Sequence, residues 1–184
     1  MRMTFSVDEF IADLRAVAKQ PGAPQQVKHI LQKTIADPEK LAAALPDYPE
    51  NDTVLYEDDG LSVWHVRFIP GVAVPPHEHL VPAFIGLYQG QERNDFYQLT
   101  ADDKLKNSGH QILEPGDMLA MGEDAIHSVT CVSDEPCCGL HVYLGKLTTI
   151  ERSLFHPQTH ERMAFTDENY ERLQQEVGSD KEIA

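Results

Sequence analysis

Residues 71–83 read GVAVPPHEHLVPA, and this stretch decides the fold prediction. Residues i and i+2 of a β-strand point to the same face, so His77 and His79 project together, about 6 to 7 Å apart along the strand. Two imidazoles presented in this way can bind one metal ion. Glu78, which lies between them, is expected to point to the opposite face as a surface charge.

A third histidine comes from a later segment of the chain. His127 lies in AIHSV, residues 125–129, an apolar run suited to a neighbouring strand. Three histidines on rigid strands make a facial metal site with open coordination positions. The alternative is that the HEH pair is an ordinary surface pair or a hydrogen-bonded core pair, and this alternative stays open at the level of spacing alone.

The region after Pro46 has an all-β pattern, with short runs rich in Val, Ile, Leu and aromatic residues. Turn markers separate these runs and leave roughly six to ten residues for most strands. Such spacing is typical of a sandwich or small barrel. The markers are Asp58-Asp59-Gly60, Pro70-Gly71, Gln89-Gly90, Ser108-Gly109 and Pro115-Gly116-Asp117.

The region before Pro46 has apolar residues at helical spacing and predicts two or three helices. Ser6 with Glu9 has the form of a capping box, and Asp37 followed by Pro38 suits an N-cap and a first helical turn. These signals predict helix starts near residues 6 and 37.

The N-terminal helices are expected to pack on the barrel, with a dimer contact formed by these helices and the C-terminal hairpin as the open alternative. We expect a helical N-terminal extension over residues 1–48 and a barrel with a C-terminal extension over residues 49–184, forming a single domain overall. A short hairpin around Phe155-His156-Pro157 and a helix near Asp167 to Val177 are expected in the C-terminal extension.

Composition narrows the classes of partner. The 184 residues include 15 Lys and Arg against 30 Asp and Glu, and the formal net charge of −15 argues against nucleic acid or an anionic membrane surface as partner. No segment approaches the roughly 18 consecutive apolar residues that a membrane helix requires. Residues 1–10, MRMTFSVDEF, also lack an apolar core of signal-peptide length, so a cytoplasmic location is expected. The 3 cysteines are an odd number in a chain too large to need a disulfide framework, so reduced thiols are expected. The sequence leaves open whether the protein forms an oligomer.

The spacing of Gly71, His77, His79 and Gly90 resembles the first motif of the cupin superfamily, and Pro115-Gly116-Asp117 before His127 resembles the second. The resemblance covers roughly residues 53 to 145. It implies a mostly-β fold: a cupin double-stranded β-helix (jelly-roll) barrel, here with N-terminal helices and a short C-terminal hairpin and helix. It also implies that His77, His79 and His127 are the metal ligands.

One departure from the cupin motif concerns charge. Ala83 stands where the family's ligand Glu is expected. Three neutral imidazoles leave a divalent ion with its full double charge, which favours an anionic donor from the substrate, such as a thiolate or an enolate.

The segment Leu140-His141-Val142-Tyr143 is similar to the closing strand of the cysteine dioxygenase family. That resemblance implies a non-haem Fe(II)-dependent dioxygenase that oxidises a small thiol with O2 to a sulfinate, with His141 and Tyr143 as catalytic residues beside the iron. Two positions depart from the family. Gly139 replaces the Ser two residues before the His, and Ala83 also replaces the Cys that can cross-link to the Tyr.

The anchor for a substrate carboxylate is harder to identify. In the cysteine dioxygenase family an Arg binds the substrate carboxylate, but the corresponding residues 49–52 contain none. Arg67 is expected to point outward, because the alternating residues Trp64, Val66 and Phe68 would face the interior. Ile85 and Leu87 are expected to join that dry wall. Arg93 stays a candidate at the cavity mouth.

Several alternatives stay open at this level. Imidazole sites also bind Ni, Mn and Zn. A three-histidine cupin that cleaves a C–C bond of an enolisable substrate, and a non-catalytic metal-binding or sensing cupin, have the same ligands.

Overall fold

The structure is a computed structural model that describes residues 5–181. In this range the helices are α1 (Val7–Val17), α2 (Ala23–Ile35), α3 (Pro38–Ala44) and α4 (Asp167–Lys181), with a 3₁₀ turn at Leu147–Thr149. The strands are β1 (Asp52–Asp58), β2 (Leu61–Phe68), β3 (Ala73–Glu78), β4 (Ala83–Gln89), β5 (Glu92–Leu99), β6 (Leu105–Leu113), β7 (Met118–Met121), β8 (Ile126–Cys131), β9 (Cys137–Tyr143), β10 (Ser153–Phe155) and β11 (Arg162–Ala164).

The strands form two antiparallel sheets, with orders β1-β2-β9-β4-β7 and β11-β10-β3-β8-β5-β6. Strands β2 to β9 alternate between the sheets except at the β5–β6 hairpin, which lies in the second sheet. The central four-stranded units are β2-β9-β4-β7 and β3-β8-β5-β6. This is the strand order of an eight-stranded jelly roll. The predicted mostly-β jelly-roll fold is therefore confirmed, with helices at the N-terminus and a short hairpin and helix at the C-terminus.

The N-terminal helices pack on the outer face of the first sheet. Leu31 and Ile35 of α2 are fully buried against β4. A Cβ added at Gly86 of β4 would lie 2.9 Å from both side chains, so only glycine permits this close approach. Burial of each aliphatic side chain contributes about 1.5–3 kcal/mol, which fixes the helices on the barrel.

The helix starts agree with the capping prediction. The hydroxyl of Ser6 accepts a hydrogen bond from the Glu9 amide, and the Asp37 carboxylate accepts one from the Lys40 amide. Each side chain satisfies a backbone donor that the first helical turn leaves unpaired.

One predicted turn was wrong. Ser108 and Gly109 lie within β6 rather than between strands, and the register skips Ser108 because Phe96 pairs with Gly109 and Tyr97 with Asn107. Gly109 has a φ of 137°, which a glycine adopts without a Cβ clash. The signal that indicated a turn marks a β-bulge.

The C-terminal hairpin extends the second sheet beyond β3. Strand β10 pairs with β3 and β11, and α4 packs against β3. The helix begins at Asp167 as predicted but continues past Val177 to Lys181. None of the helices within residues 5–181 is long and apolar enough to span a membrane.

Candidate metal centre

Two neighbouring strands of the second sheet carry the three predicted ligands. His77 and His79 come from β3 and the residue that follows it, and His127 comes from β8. His77 pairs directly with His127 across the two strands. All three side chains are buried, with 6%, 5% and 1% of their residue surface exposed. The structure therefore brings together the three histidines that the spacing predicted.

The candidate ligand atoms of His77, His79 and His127 all lie within 4.8 Å of one another. One ion with metal–nitrogen bonds of about 2.1 Å requires separations of roughly 3.0–3.5 Å, so a small closure of the rings would suffice. This is the only group of at least three His, Cys, Asp or Glu residues at such distances in the part of the chain that the structure describes.

Hydrogen bonds leave one nitrogen free on two of the rings. The Nδ1 of His77 lies 2.9 Å from the carbonyl oxygen of Pro75, and that of His127 lies 2.8 Å from the Oδ1 of Asn94. Because both partners are acceptors, each Nδ1 carries the proton and each Nε2 has a lone pair. The Nε2 of His127 is buried without a hydrogen-bond partner among the described residues. A metal ion would satisfy this atom.

The electrostatic environment keeps these rings neutral. Burial lowers the pKa of His77 to about 4. It also holds the pKa values of His79 and His127 well below the ordinary value, with like-charge repulsion from neighbouring histidines in support. Neutral imidazole is the form that binds a metal ion. The donor set of three neutral nitrogens therefore fits a divalent transition metal and does not select one.

The histidines line a cavity of about 250 Å³. Its apolar wall contains four side chains that the sequence predicted to face inward: Trp64, Val66, Phe68 and Ile85. Leu87 does not line the cavity; it is fully buried in the core beneath it.

His141 and Tyr143 both line this cavity, as their shared strand face predicts. The Nδ1 of His141 lies 3.1 Å from the phenol oxygen of Tyr143, whose ring centroid lies 5.0 Å from that of His79. Burial lowers the pKa of His141 to about 3 and raises that of Tyr143. The pair is thus a neutral imidazole beside a protonated phenol, and its catalytic role stays a prediction.

Gly139 lies next to an unpaired nitrogen of His141. The Nε2 of His141 is buried without a partner among residues 5–181. A Cβ at Gly139 would lie 3.5 Å from this nitrogen and 3.0 Å from the carbonyl oxygen of Gly86. A Ser at residue 139 would therefore be crowded, but it would have its hydroxyl near this nitrogen.

The structure reveals a cationic cavity residue that sequence reasoning missed. Arg152 lines the cavity, and its Cζ lies 3.6 Å above the centroid of the Phe165 ring. No ion pair within 4.0 Å involves Arg152 in the described part of the chain. Burial lowers its pKa, but a guanidinium stays protonated in proteins.

No local sequence signal identifies Arg152. It precedes β10, and its position depends on the pairing of Leu154 with His77. Because the two strands are antiparallel, that register puts Arg152 beside His79. A hairpin after the last barrel strand needs a free sheet edge with which to pair. That requirement would have suggested that residues near this hairpin, including Arg152, lie close to a barrel strand such as β3.

Three other expectations have definite outcomes. Arg93 does not line the cavity: it lies on the outer face of β5 and forms a bidentate ion pair with Asp95, so it is not the anchor. Arg67 points outward as predicted, toward Asn51. The surface-charge prediction for Glu78 was wrong: the residue is only 6% exposed, and Arg162 of β11 forms an ion pair with its carboxylate at 2.8 Å.

No family model matches the chain. A cupin superfamily protein from Desulfitobacterium hafniense is similar at 18% identity and a TM-score of 0.44, over 58% of this chain and 88% of that chain. An RmlC-like cupin family protein with a double-stranded β-helix fold from Methanocaldococcus jannaschii has 7% identity and a TM-score of 0.46, over 56% of this chain and 90% of that chain. An oxalate oxidase in complex with the substrate analogue glycolate has 18% identity and a TM-score of 0.43, over 54% of this chain and 53% of that chain. The fold class rests on the strand order described above.

Proposed function

We propose that the protein is a non-haem Fe(II)-dependent dioxygenase of the cysteine dioxygenase-like type, which oxidises a small anionic thiol to a sulfinate. The observation that carries the proposal is that three histidines with ligand atoms within 4.8 Å share one cavity with Tyr143 and Arg152. Bound at these histidines, Fe(II) would supply O2 activation and a site for the thiolate sulfur.

The reaction balances without an added reductant. A thiol and O2 give a sulfinate and one proton, so both oxygen atoms end on sulfur and the sulfur loses four electrons. The protein's contribution is to hold the thiol and to exclude water. The aromatic and aliphatic wall around Trp64 and Phe68 suits the second task, because a dry site strengthens the electrostatic interactions inside it.

Arg152 is the proposed anchor of the substrate's anionic end. Its guanidinium is held over the Phe165 ring, which fixes its plane, and it has no carboxylate partner within 4.0 Å among the described residues. A planar guanidinium with free N–H groups binds a carboxylate through two parallel hydrogen bonds. Asp52 also lines the cavity and suits an ammonium group, so a zwitterionic thiol is compatible with the site.

Tyr143 is proposed to donate a hydrogen bond to the reacting group. When the Nδ1 of His141 carries the proton, it donates to the phenol oxygen, and the phenol proton stays available to the substrate. The raised pKa of Tyr143 keeps that proton in place at neutral pH. His141 then acts by orienting the phenol rather than by titrating.

The test is O2 uptake by iron-loaded protein with cysteine, a mercapto acid of similar length and cysteamine, with products identified by NMR and mass spectrometry. We expect stoichiometric sulfinate with the two carboxylate-bearing thiols and little with cysteamine. Arg93→Gln, on the outer face, is the matched control and should behave as wild type. No uptake with any thiol at full iron occupancy would overturn the proposal.

The same O2-uptake assay, repeated with an enolisable substrate in place of the thiol, separates the alternative functions. Carboxylate products from an enolisable substrate would favour C–C cleavage, and stable metal binding without turnover of either class would favour a sensing role. Metal analysis of the protein as isolated tests Fe(II) against Ni, Mn and Zn.

A further inference from the structure

A chain of buried polar side chains runs away from His127 into the barrel interior. The Nδ1 of His127 lies 2.8 Å from the Oδ1 of Asn94, and the Nδ2 of Asn94 lies 2.8 Å from the Oε1 of Glu92. All three residues are at most 1% exposed. Hydrogen bonds between buried polar side chains restrict the orientations of these groups, and they leave the Nε2 of His127 without a partner among the described residues.

The direction of each hydrogen bond follows from the chemistry of Glu92. When Glu92 is ionised its carboxylate can only accept, and the Nδ2 of Asn94 donates to it at 2.8 Å. The amide oxygen of Asn94 then faces His127 and can only accept. The Nδ1 of His127 must therefore be the donor, which leaves the lone pair on Nε2, the nitrogen free to bind a metal ion.

We propose that Glu92 and Asn94 are positioning residues that set the tautomer and ring orientation of His127 before the metal ion binds. The inference rests on the metal site of the proposed function, but not on the reaction. Neither residue lines the cavity, so they act only through His127. Hydrogen-bond partners of this kind increase the basicity of a ligating histidine and fix its orientation.

The protonation state of Glu92 sets the pH at which the proposal is best tested. Burial raises its pKa to about 7, and the hydrogen bond from Asn94 opposes that rise. A pH of 8 lies above this value and favours the ionised form, so the direction of the hydrogen bonds is measured there.

The experiment measures the tautomer of His127 in metal-free protein at pH 8 by 15N NMR, and the affinity for Zn²⁺ by competition with a chelator. Wild type is expected to have the proton on Nδ1. Asn94→Leu should give a mixture of tautomers and weaken Zn²⁺ binding by about 10- to 100-fold, the range typical of such partners. Glu92→Gln should have a smaller effect in the same direction, because an amide at residue 92 lets Asn94 turn over.

Leu113→Ala is the matched control. Leu113 is fully buried and pairs with Glu92, so this change should lower thermal stability but leave the tautomer of His127 and the Zn²⁺ affinity unchanged. The proposal is overturned if Asn94→Leu and Glu92→Gln keep the wild-type tautomer and affinity, or if Leu113→Ala alters both equally. Failure of wild type to bind Zn²⁺ would instead overturn the metal site, and lack of thiol oxidation would affect only the proposed reaction.

Discussion

Leu154 pairs with His77 across the edge between β10 and β3, so the C-terminal hairpin continues the sheet that carries all three histidines. This pairing brings Arg152 and Phe165 to a cavity that the eight barrel strands would otherwise leave without a cation. The extension is therefore part of the candidate site, and the barrel alone does not define its chemistry.

The first prediction concerns Arg152. Replacing it with Met, which retains much of the apolar stem, should raise KM for carboxylate-bearing thiols by roughly 10- to 100-fold, because hydrogen bonds to a charged group are worth about 1.5–3 kcal/mol. kcat should change less, since the anchor binds a part of the substrate that does not react. Steady-state O2 uptake measures both parameters.

Two comparisons make the Arg152 result interpretable. Arg152→Lys should recover only part of the affinity, because an ammonium lacks the planar pair of donors. Cysteamine has no carboxylate, so its low rate of turnover should be the same in wild type and in both Arg152 variants. Unaltered KM values for the anionic thiols in Arg152→Met would refute the role.

The second prediction concerns the metal ligands. His77→Ala and His127→Ala should each weaken metal binding by more than the roughly 10- to 100-fold typical of changes outside the ligand set. In wild type, a divalent metal at 100 times its Kd should stabilise the fold by about 2.7 kcal/mol, visible as a higher Tm. His110→Ala, on the exposed strand β6, should retain the full shift. A normal metal-induced shift in either cavity variant would contradict the ligand assignment.

Sequence spacing predicted the part of the site that is local in the chain. His77 and His79 are two residues apart, as are His141 and Tyr143. Residues i and i+2 of one strand share a face, so the sequence predicts both pairs without knowledge of the tertiary structure. The turn markers also located most strand ends, except at Gly109, where the conformational freedom of glycine serves a bulge rather than a turn.

The missed features depend on contacts between distant segments. Arg152 reaches the cavity through the pairing of Leu154 with His77, and the buried carboxylate of Glu78 has its partner, Arg162, in β11. The roles of Asn94 and Glu92 are likewise invisible in sequence, since the hydrogen bond to His127 joins β5 and β8. Alternation correctly predicts which face a residue occupies, but not what covers that face.

The third prediction concerns Gly139. A Cβ there would lie 3.0 Å from the carbonyl oxygen of Gly86, so Gly139→Ala should destabilise the fold. Gly139→Ser has the same crowding but offers a hydroxyl to the unpaired Nε2 of His141. We expect the Ser variant to be more stable than the Ala variant by about 1 kcal/mol in urea unfolding. Equal stability of the two variants would show that the hydroxyl does not reach His141.

The fourth prediction is a loss of stability in acid that originates in the buried histidines. His77 has a pKa of about 4 in the folded protein, against 6.5 when exposed, so between these values the unfolded chain binds a proton that the folded protein does not. The contribution of His77 to the free energy of unfolding therefore falls by up to about 3 kcal/mol as pH falls from 6.5 to about 4. The raised pKa of Glu92 acts in the opposite direction over much of this range, but it is a single group. The pKa values of three other buried histidines are also lowered, and they act in the same direction as His77: His79, His127 and His141.

Urea unfolding of chelator-treated protein between pH 6.5 and 4 should show the decline in stability. His77→Gln should make the decline shallower, whereas His110→Gln should not. A His77→Gln curve parallel to wild type would show that the pKa of His77 is not lowered in the folded protein, which would contradict the buried, neutral imidazole described above.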